Sequence, residues 1–177
     1  MESVKNSYPE KKVVDFIAVP ISMDKINAAI KASTASKEVK AAAQVIIRNE
    51  TGNGRSIINS TNPAGFQADS GRWASLWDNK IVATCCKKEG MTGKLRRFIV
   101  FDNLSTGIAF LINRIEHKGL FIGEEVDSKY YKGNVTTPEQ LSVSYWQEWV
   151  VGSQTKPSEQ FVKDFVSMYK QAILLFS

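Results

Sequence analysis

Apolar and polar positions along the chain change period several times. The run VVDFIAV at 13–19 is too short to separate a strand from a first short helix, and Pro20 ends it. Ser22 then offers an N-cap, with Asp24 in the first turn, which predicts a helix over 23–33. Ser36 and Glu38 repeat the signal for a helix over 37–50, stopped by Gly52 and Gly54. Residues 51–72 are rich in Gly, Asn, Ser and Thr and read as a long loop. Two β-like runs follow, KIVATCC at 80–86 and LRRFIVF at 95–101. The two glycines in the KKEGMTGK between them predict a hairpin. Asn103-Leu-Ser105 opens a helix over 105–116, with Ile108, Leu111, Ile112 and Ile115 at core spacing and Gly119 at its end.

Residues 117–136 read as a second long loop, carrying Tyr130 and Tyr131. Thr137, Pro138 and Gln140 supply the cap, first position and capping-box partner of a helix running to about Val151, and Gly152 ends it. Pro157-Ser158 begins the last helix, striped by Phe161, Phe165, Met168, Tyr169, Ala172 and Ile173. There is no internal repeat or low-complexity linker. The pattern predicts a single α+β domain over residues 1–177, mostly helical, with a small β-hairpin after the second helix and residues 1–20 as an N-terminal extension.

Composition narrows the class. A chain of 177 residues with 43% hydrophobic content can bury a core, and 23% charged residues is too ordinary for wholesale disorder. No apolar run is long enough to span a bilayer, and MESVKNSYPEKKVVDF lacks the apolar region of a secretory signal. The expectation is synthesis in the cytoplasm, with release or delivery needed for any action at a cell wall or in a periplasm. A net charge of +5 favours polyanions such as nucleic acid, anionic lipid or an acidic wall, without choosing among them. Lys87, Lys88, Lys94, Arg96 and Arg97 form the densest basic cluster, whose plainest reading is a solvated hairpin.

Cys85 and Cys86 are neighbours whose side chains point to opposite faces of a strand, so a bridge between them would be strained. The pattern is that of reduced thiols without a CxxC metal pair. The single His117 excludes a multi-histidine metal site, and its neighbours Glu116 and Lys118 place it at a surface helix end. No metal or organic cofactor is implied.

Glu50 is the residue that asks for chemistry. Val39, Ala42, Ala43, Ile46 and Glu50 follow spacings of three or four and share a helix face, which predicts that Glu50 faces the protein. It also lies in the last turn. Burial and the negative helix end both disfavour the carboxylate form. An acid that keeps its proton near neutral pH can protonate a departing sugar oxygen. Gly52 and Gly54, without side chains, would let a bulky polymer approach it. The competing reading is a fraying helix end with ordinary C-cap glycines.

The order QVIIRNETGNGRS, then STNPAGFQADSGRW, resembles the flagellar-type and autolysin-type endo-β-N-acetylglucosaminidases, glycoside hydrolase family 73 of the lysozyme-like superfamily. Glu50-Thr51-Gly52, Gly54 and Ser56 resemble the acid-bearing helix end. Asn62, Gly65, Phe66, Gln67, Ala68, Asp69 and Trp73 resemble the following turn, with the Phe-Gly order inverted. RRFIVFDNLSTGIAFLINRI and SVSYWQEWVVGSQTKPSEQFVKDFVSMYKQAI resemble the later strand and helices, so the likeness spans roughly 36–175. It implies a mostly helical lysozyme-like domain with a hairpin lobe flanking a cleft. It also implies cleavage of peptidoglycan glycan strands with Glu50 as general acid, by an endo-β-N-acetylglucosaminidase or muramidase. The lytic transglycosylase route and a non-catalytic wall-binding module stay open as alternatives.

The resemblance further implies site roles. Asn62 and Gln67 would bond N-acetyl or hydroxyl groups, and Phe66 and Trp73 would offer faces to sugar rings, as would Trp77, Tyr130 and Tyr131. Tyr145 resembles a helix tyrosine facing the reacting sugar, although as a bare feature it reads as core. Family members often carry a second acid in a Thr-x-Glu strand. Here that strand is Ala83-Thr84-Cys85-Cys86, with a cysteine at the matching position. Glu89, at the hairpin turn, either reaches the cleft or is a solvated turn residue. Asp69 either lines the cleft wall or forms an Asx turn with Ser70 and Gly71. Nucleic acid is not an expected partner, no membrane span is expected, and a delivery or immunity partner is compatible with the missing signal.

Overall fold

The structure, a computed structural model, describes residues 10–69 and 73–177, with backbone only at 124–127. The turn expected at Ser70-Gly71 therefore lies outside the described residues, as does most of the segment read for a signal. The fold is α+β, as the pattern predicts. The chain divides into two compact units, one comprising the segment up to Ala29 with Ile47–Ile108, the other Ile30–Ile46 with Ala109–Ser177.

In the first unit the apolar run at 13–19 resolves into two short strands, β1 (Val13–Val14) and β2 (Ala18–Val19). Residues 13–19, expected to lie in an N-terminal extension, are thus woven into the sheets. β2 pairs antiparallel with β3 (Ile57–Ile58), inside the segment read as loop. β1 pairs parallel with β4 (Ile81–Lys88), and β4 pairs antiparallel with β5 (Leu95–Phe101), giving the order β1-β4-β5. The predicted hairpin is present, two residues longer at its outer end than the run KIVATCC. Side chains alternate across it. Ala83 and Cys85 pack with Ile58, Val100, Val14, Phe16 and Phe98 into one apolar cluster. Residues 66–68 lie along the far side of β5, where Ala68 N–H donates to Arg97 O (2.8 Å) and Ile99 N–H to Phe66 O (3.0 Å).

The helices begin where their caps predict. Ser22 Oγ accepts from Lys25 N–H at the start of α1 (Met23–Lys31), and Ser36 Oγ from Val39 N–H at the start of α2 (Lys37–Thr51). Asn103 Oδ1 does the same for Thr106 N–H in α3 (Leu104–Lys118).

In the second unit, α4 (Pro138–Tyr145) opens on the predicted capping box of Thr137 and Gln140. The helix does not run evenly to Val151. Its last part, Trp146–Val151, widens into a π-helical segment that ends on left-handed Gly152. α5 (Glu159–Leu175) is capped by Ser158 and packs its aromatic stripe against α4. The segment 117–136 is not a plain loop, since β6 (Glu124–Asp127) and β7 (Lys132–Val135) form a hairpin. The Glu148 carboxylate holds its turn by accepting from Tyr130 and Tyr131 N–H (2.7 Å each) and from the Ser128 hydroxyl.

Candidate functional site

The site is built from the end of α2 within the first unit. Residues 41–47 of α2 are all buried, Arg48 and Asn49 are half-buried, Glu50 is exposed and Thr51 is buried. The burial predicted for Glu50 is therefore corrected. In the last turn the inward direction passes through Ile47 and Thr51, and Glu50 lies about 100° round the helix from Thr51. Thr51 fixes that direction, because its hydroxyl donates to Ile47 O (2.6 Å) and accepts from Gly54 N–H (2.8 Å).

The glycines after the acid also serve differently from expectation. Gly54 is buried at φ +81°, and a Cβ there would stand 2.2 Å from Ile21 O. Its missing side chain makes room for the chain's own backbone, which it meets through Ile21 N–H donating to Gly54 O (2.8 Å). Gly52 is covered by the Arg55 guanidinium, which donates to Gly52 O (2.8 Å). The glycine that reaches the acid is Gly65, whose Cβ position lies 4.0 Å from Glu50 Oε2.

Gly65 is placed by Asn62. This side chain is 1% exposed. Its amide donates to Phe66 O (2.9 Å) and Ile99 O (3.0 Å), and its oxygen accepts from Phe66 N–H (2.9 Å) and Ala64 N–H (3.4 Å). Both amide hydrogens and the carbonyl are engaged with backbone. Asn62 is therefore the organiser of the 62–66 turn, in place of the sugar-binding role the resemblance implies. The turn, the helix end and the inner face of the hairpin enclose a depression of about 180 Å³. Glu50, Ser56, Gly65 and Lys87 line it, with Phe16 and Phe98 as its aromatic wall.

Lys87, expected only as part of the basic cluster on the hairpin, also lines this depression. Strand alternation finds it, because Lys87 shares the face of Ala83 and Cys85. Its ammonium stands 4.9 Å from the centre of the Phe16 ring. Among the described residues lining this depression, Glu50 is the one carboxylate. Counted from Thr84, the acid position of the resemblance falls on Cys86, half-buried on the opposite face of the strand, while its neighbour Cys85 is fully buried and burial followed by Cys86 pushes its thiol up to about 11. Cys85 is a neutral core group.

The other predicted carboxylates are engaged elsewhere. Glu89 accepts from the Thr92 hydroxyl and from Arg96 Nε, each at 2.6 Å, and those two bonds hold its carboxyl below the usual range. It organises the hairpin turn. Asp69 accepts from Arg97 N–H at 2.5 Å and pairs with the Arg96 guanidinium at 3.6 Å, strapping the preceding loop to β5. It borders a second depression of about 450 Å³ on the opposite face of the hairpin, with Trp73, Thr84, Cys86 and Arg97.

The aromatic candidates are mostly structural. Phe66 is buried and meets Phe101 in a T-shaped contact, with centroids 6.3 Å apart. Gln67 is exposed and bridges Phe98 through its backbone. Trp73 is buried, with its indole N–H on Asp78 Oδ1 (2.9 Å), and Trp77 is buried under Lys80. Tyr145 belongs to the core of the second unit, 1% exposed and stacked on Phe161 at 6.3 Å and 10°. Facing a sugar is therefore corrected to packing. Tyr130 and Tyr131 are half-buried in the β6–β7 turn.

The local geometry thus brings together one carboxylate, one ammonium, a serine hydroxyl and two aromatic rings. No protein-family model, curated protein or solved structure matches the chain.

Proposed function

We propose that the chain cleaves the glycan strand of peptidoglycan, with Glu50 as the general acid, in a lysozyme-like domain. The observation that carries this reading is the position of Glu50. A helix end delivers its carboxylate to the mouth of a depression, against a side-chain-free Gly65 backbone that leaves space for a ring. The element order of acid-bearing helix, turn, antiparallel hairpin and later helices is also the order that the family resemblance implies.

Glu50 donates its proton to the glycosidic oxygen as the C1–O bond breaks. The described lining offers no second carboxylate to activate water. This favours routes in which the substrate supplies the nucleophile. In one, the acetamido oxygen attacks C1 and water then opens the ring so formed. In the other, the 6-hydroxyl attacks C1, loses its proton and leaves an anhydro sugar. The same missing carboxylate favours a second reading, a module that grips the wall without cutting it.

Digestion of purified walls by wild type and by Glu50→Gln separates these. The expected result is turbidity loss with wild type and about a thousandfold less with the variant, the usual scale of a lost general acid. Mass spectrometry of the fragments names the bond through a reducing N-acetylglucosamine, a reducing N-acetylmuramic acid or an anhydro end. Equal clearing by the variant overturns the assignment of Glu50. Pull-down by walls that neither protein clears selects the gripping module.

A further inference from the structure

We infer that the tip of the β4–β5 hairpin docks on an anionic lipid surface. Residues 87–97 hold Lys87, Lys88, Lys94, Arg96 and Arg97 against the single acid Glu89, a net +4 in a chain whose total is +5. Nearly all the excess charge of the molecule is therefore carried by one hairpin end. Glu89 and Asp69 are both turned onto Arg96, so the charge open to a partner is that of Lys87, Lys88, Lys94 and Arg97.

Charge alone would suit any polyanion in water. The tip adds an apolar group. Met91 is 101% exposed, the fullest exposure among the described large hydrophobic residues, and Leu95 follows on the same hairpin at 63%. A Cβ built on Gly90 or Gly93 would meet nothing within 4 Å, so the turn projects into open space. The tip itself lines an apolar groove of about 500 Å³, with Lys87, Lys88, Glu89, Met91 and Phe98 around it.

The tip is also ordered. Glu89 N–H donates to Lys94 O and Gly93 N–H to Glu89 O, both at 2.9 Å, and Thr92 Oγ accepts from Lys94 N–H at 3.2 Å. A held turn that presents a thioether between lysines matches the interface of a bilayer. There the apolar end sinks below the headgroups while the ammonium groups meet the lipid phosphates. One apolar residue is a shallow anchor, so attachment needs both signals and is reversible and salt-sensitive. The inference is independent of cleavage, and Glu50→Gln should bind as wild type does.

The test is co-sedimentation of the full chain with phosphatidylcholine vesicles, plain or with about one third phosphatidylglycerol. Binding is expected only to the anionic vesicles. Met91→Ser should weaken it about tenfold and Met91→Leu should retain it. The double variant Lys88→Glu, Lys94→Glu changes the tip by four charge units and should weaken it about six-hundredfold, at roughly fivefold for each unit near the surface. All these residues are exposed, so the thermal melts should match wild type. Wild-type affinity of Met91→Ser, or no preference for anionic vesicles, overturns the inference. Binding to heparin or DNA as strong as to the vesicles and unchanged by Met91→Ser assigns the hairpin to soluble polyanions instead.

Discussion

A single amide, that of Asn62, decides where Gly65 stands relative to Glu50. Removing it in Asn62→Ala would take away its bonds to Phe66 N–H, Phe66 O and Ile99 O in a buried turn, at a cost of about 3 kcal/mol. Urea titration should show that loss, together with lower wall activity in the folded fraction. Gly107 answers for the other side of the same turn. A Cβ there would lie 1.9 Å from Thr61 O and 2.9 Å from Pro63 Cδ, so Gly107→Ala should destabilise by roughly 3 kcal/mol. The adjacent cysteines differ in access. Cys85 is fully buried, with its thiol pushed up to about 11, whereas Cys86 is half-buried and borders an open depression. A thiol reagent at neutral pH should therefore label one cysteine quickly in the native protein, and Cys86→Ser should abolish that fast phase.

Elements show which signals are local. Helix starts were legible because a cap is written within four residues, as at Ser22, Ser36, Asn103, Thr137 and Ser158. The β6–β7 hairpin was not legible. Its segments, EEVD and KGNV, show no apolar alternation, and its turn is held by Glu148, from 17 to 20 positions later in the chain. The β4–β5 turn has a comparable carboxylate in Glu89, and there pH gives a handle. Its native carboxyl is held below the usual 4.5 by Thr92 and Arg96. The ionised form is thus favoured by folding, and its contribution is complete above 4.5 and fades as pH falls through the lower native value. The protection factor of the Gly93 amide, taken relative to its intrinsic exchange rate at each pH, should fall below that range. In Glu89→Gln it should already be low at neutral pH and change little with acid.

For the whole molecule, helix periodicity places Glu50 at the end of α2 but does not resolve its burial. A face drawn through 39, 42, 43, 46 and 50 drifts from the inward line at Thr51 by about one residue's rotation. Tyr145 and Asn62 were misassigned for another reason, because whether a side chain meets substrate or backbone depends on residues distant in sequence, such as Phe161 and Ile99. Overall charge predicts a further behaviour. With +5 on the chain and +4 of it on one hairpin end, association with anionic walls should weaken steeply between about 0.05 and 0.3 M salt, as a binding titration would show. The strands flanking the hairpin carry a last consequence. β1 covers the outer backbone of β4, and residues 66–68 cover that of β5. The middle of each long strand is thus shielded on its outer side from strands of other molecules. A chain shortened to begin at residue 21 would bare the β4 edge, and light scattering should then find it self-associating where the intact protein stays dispersed.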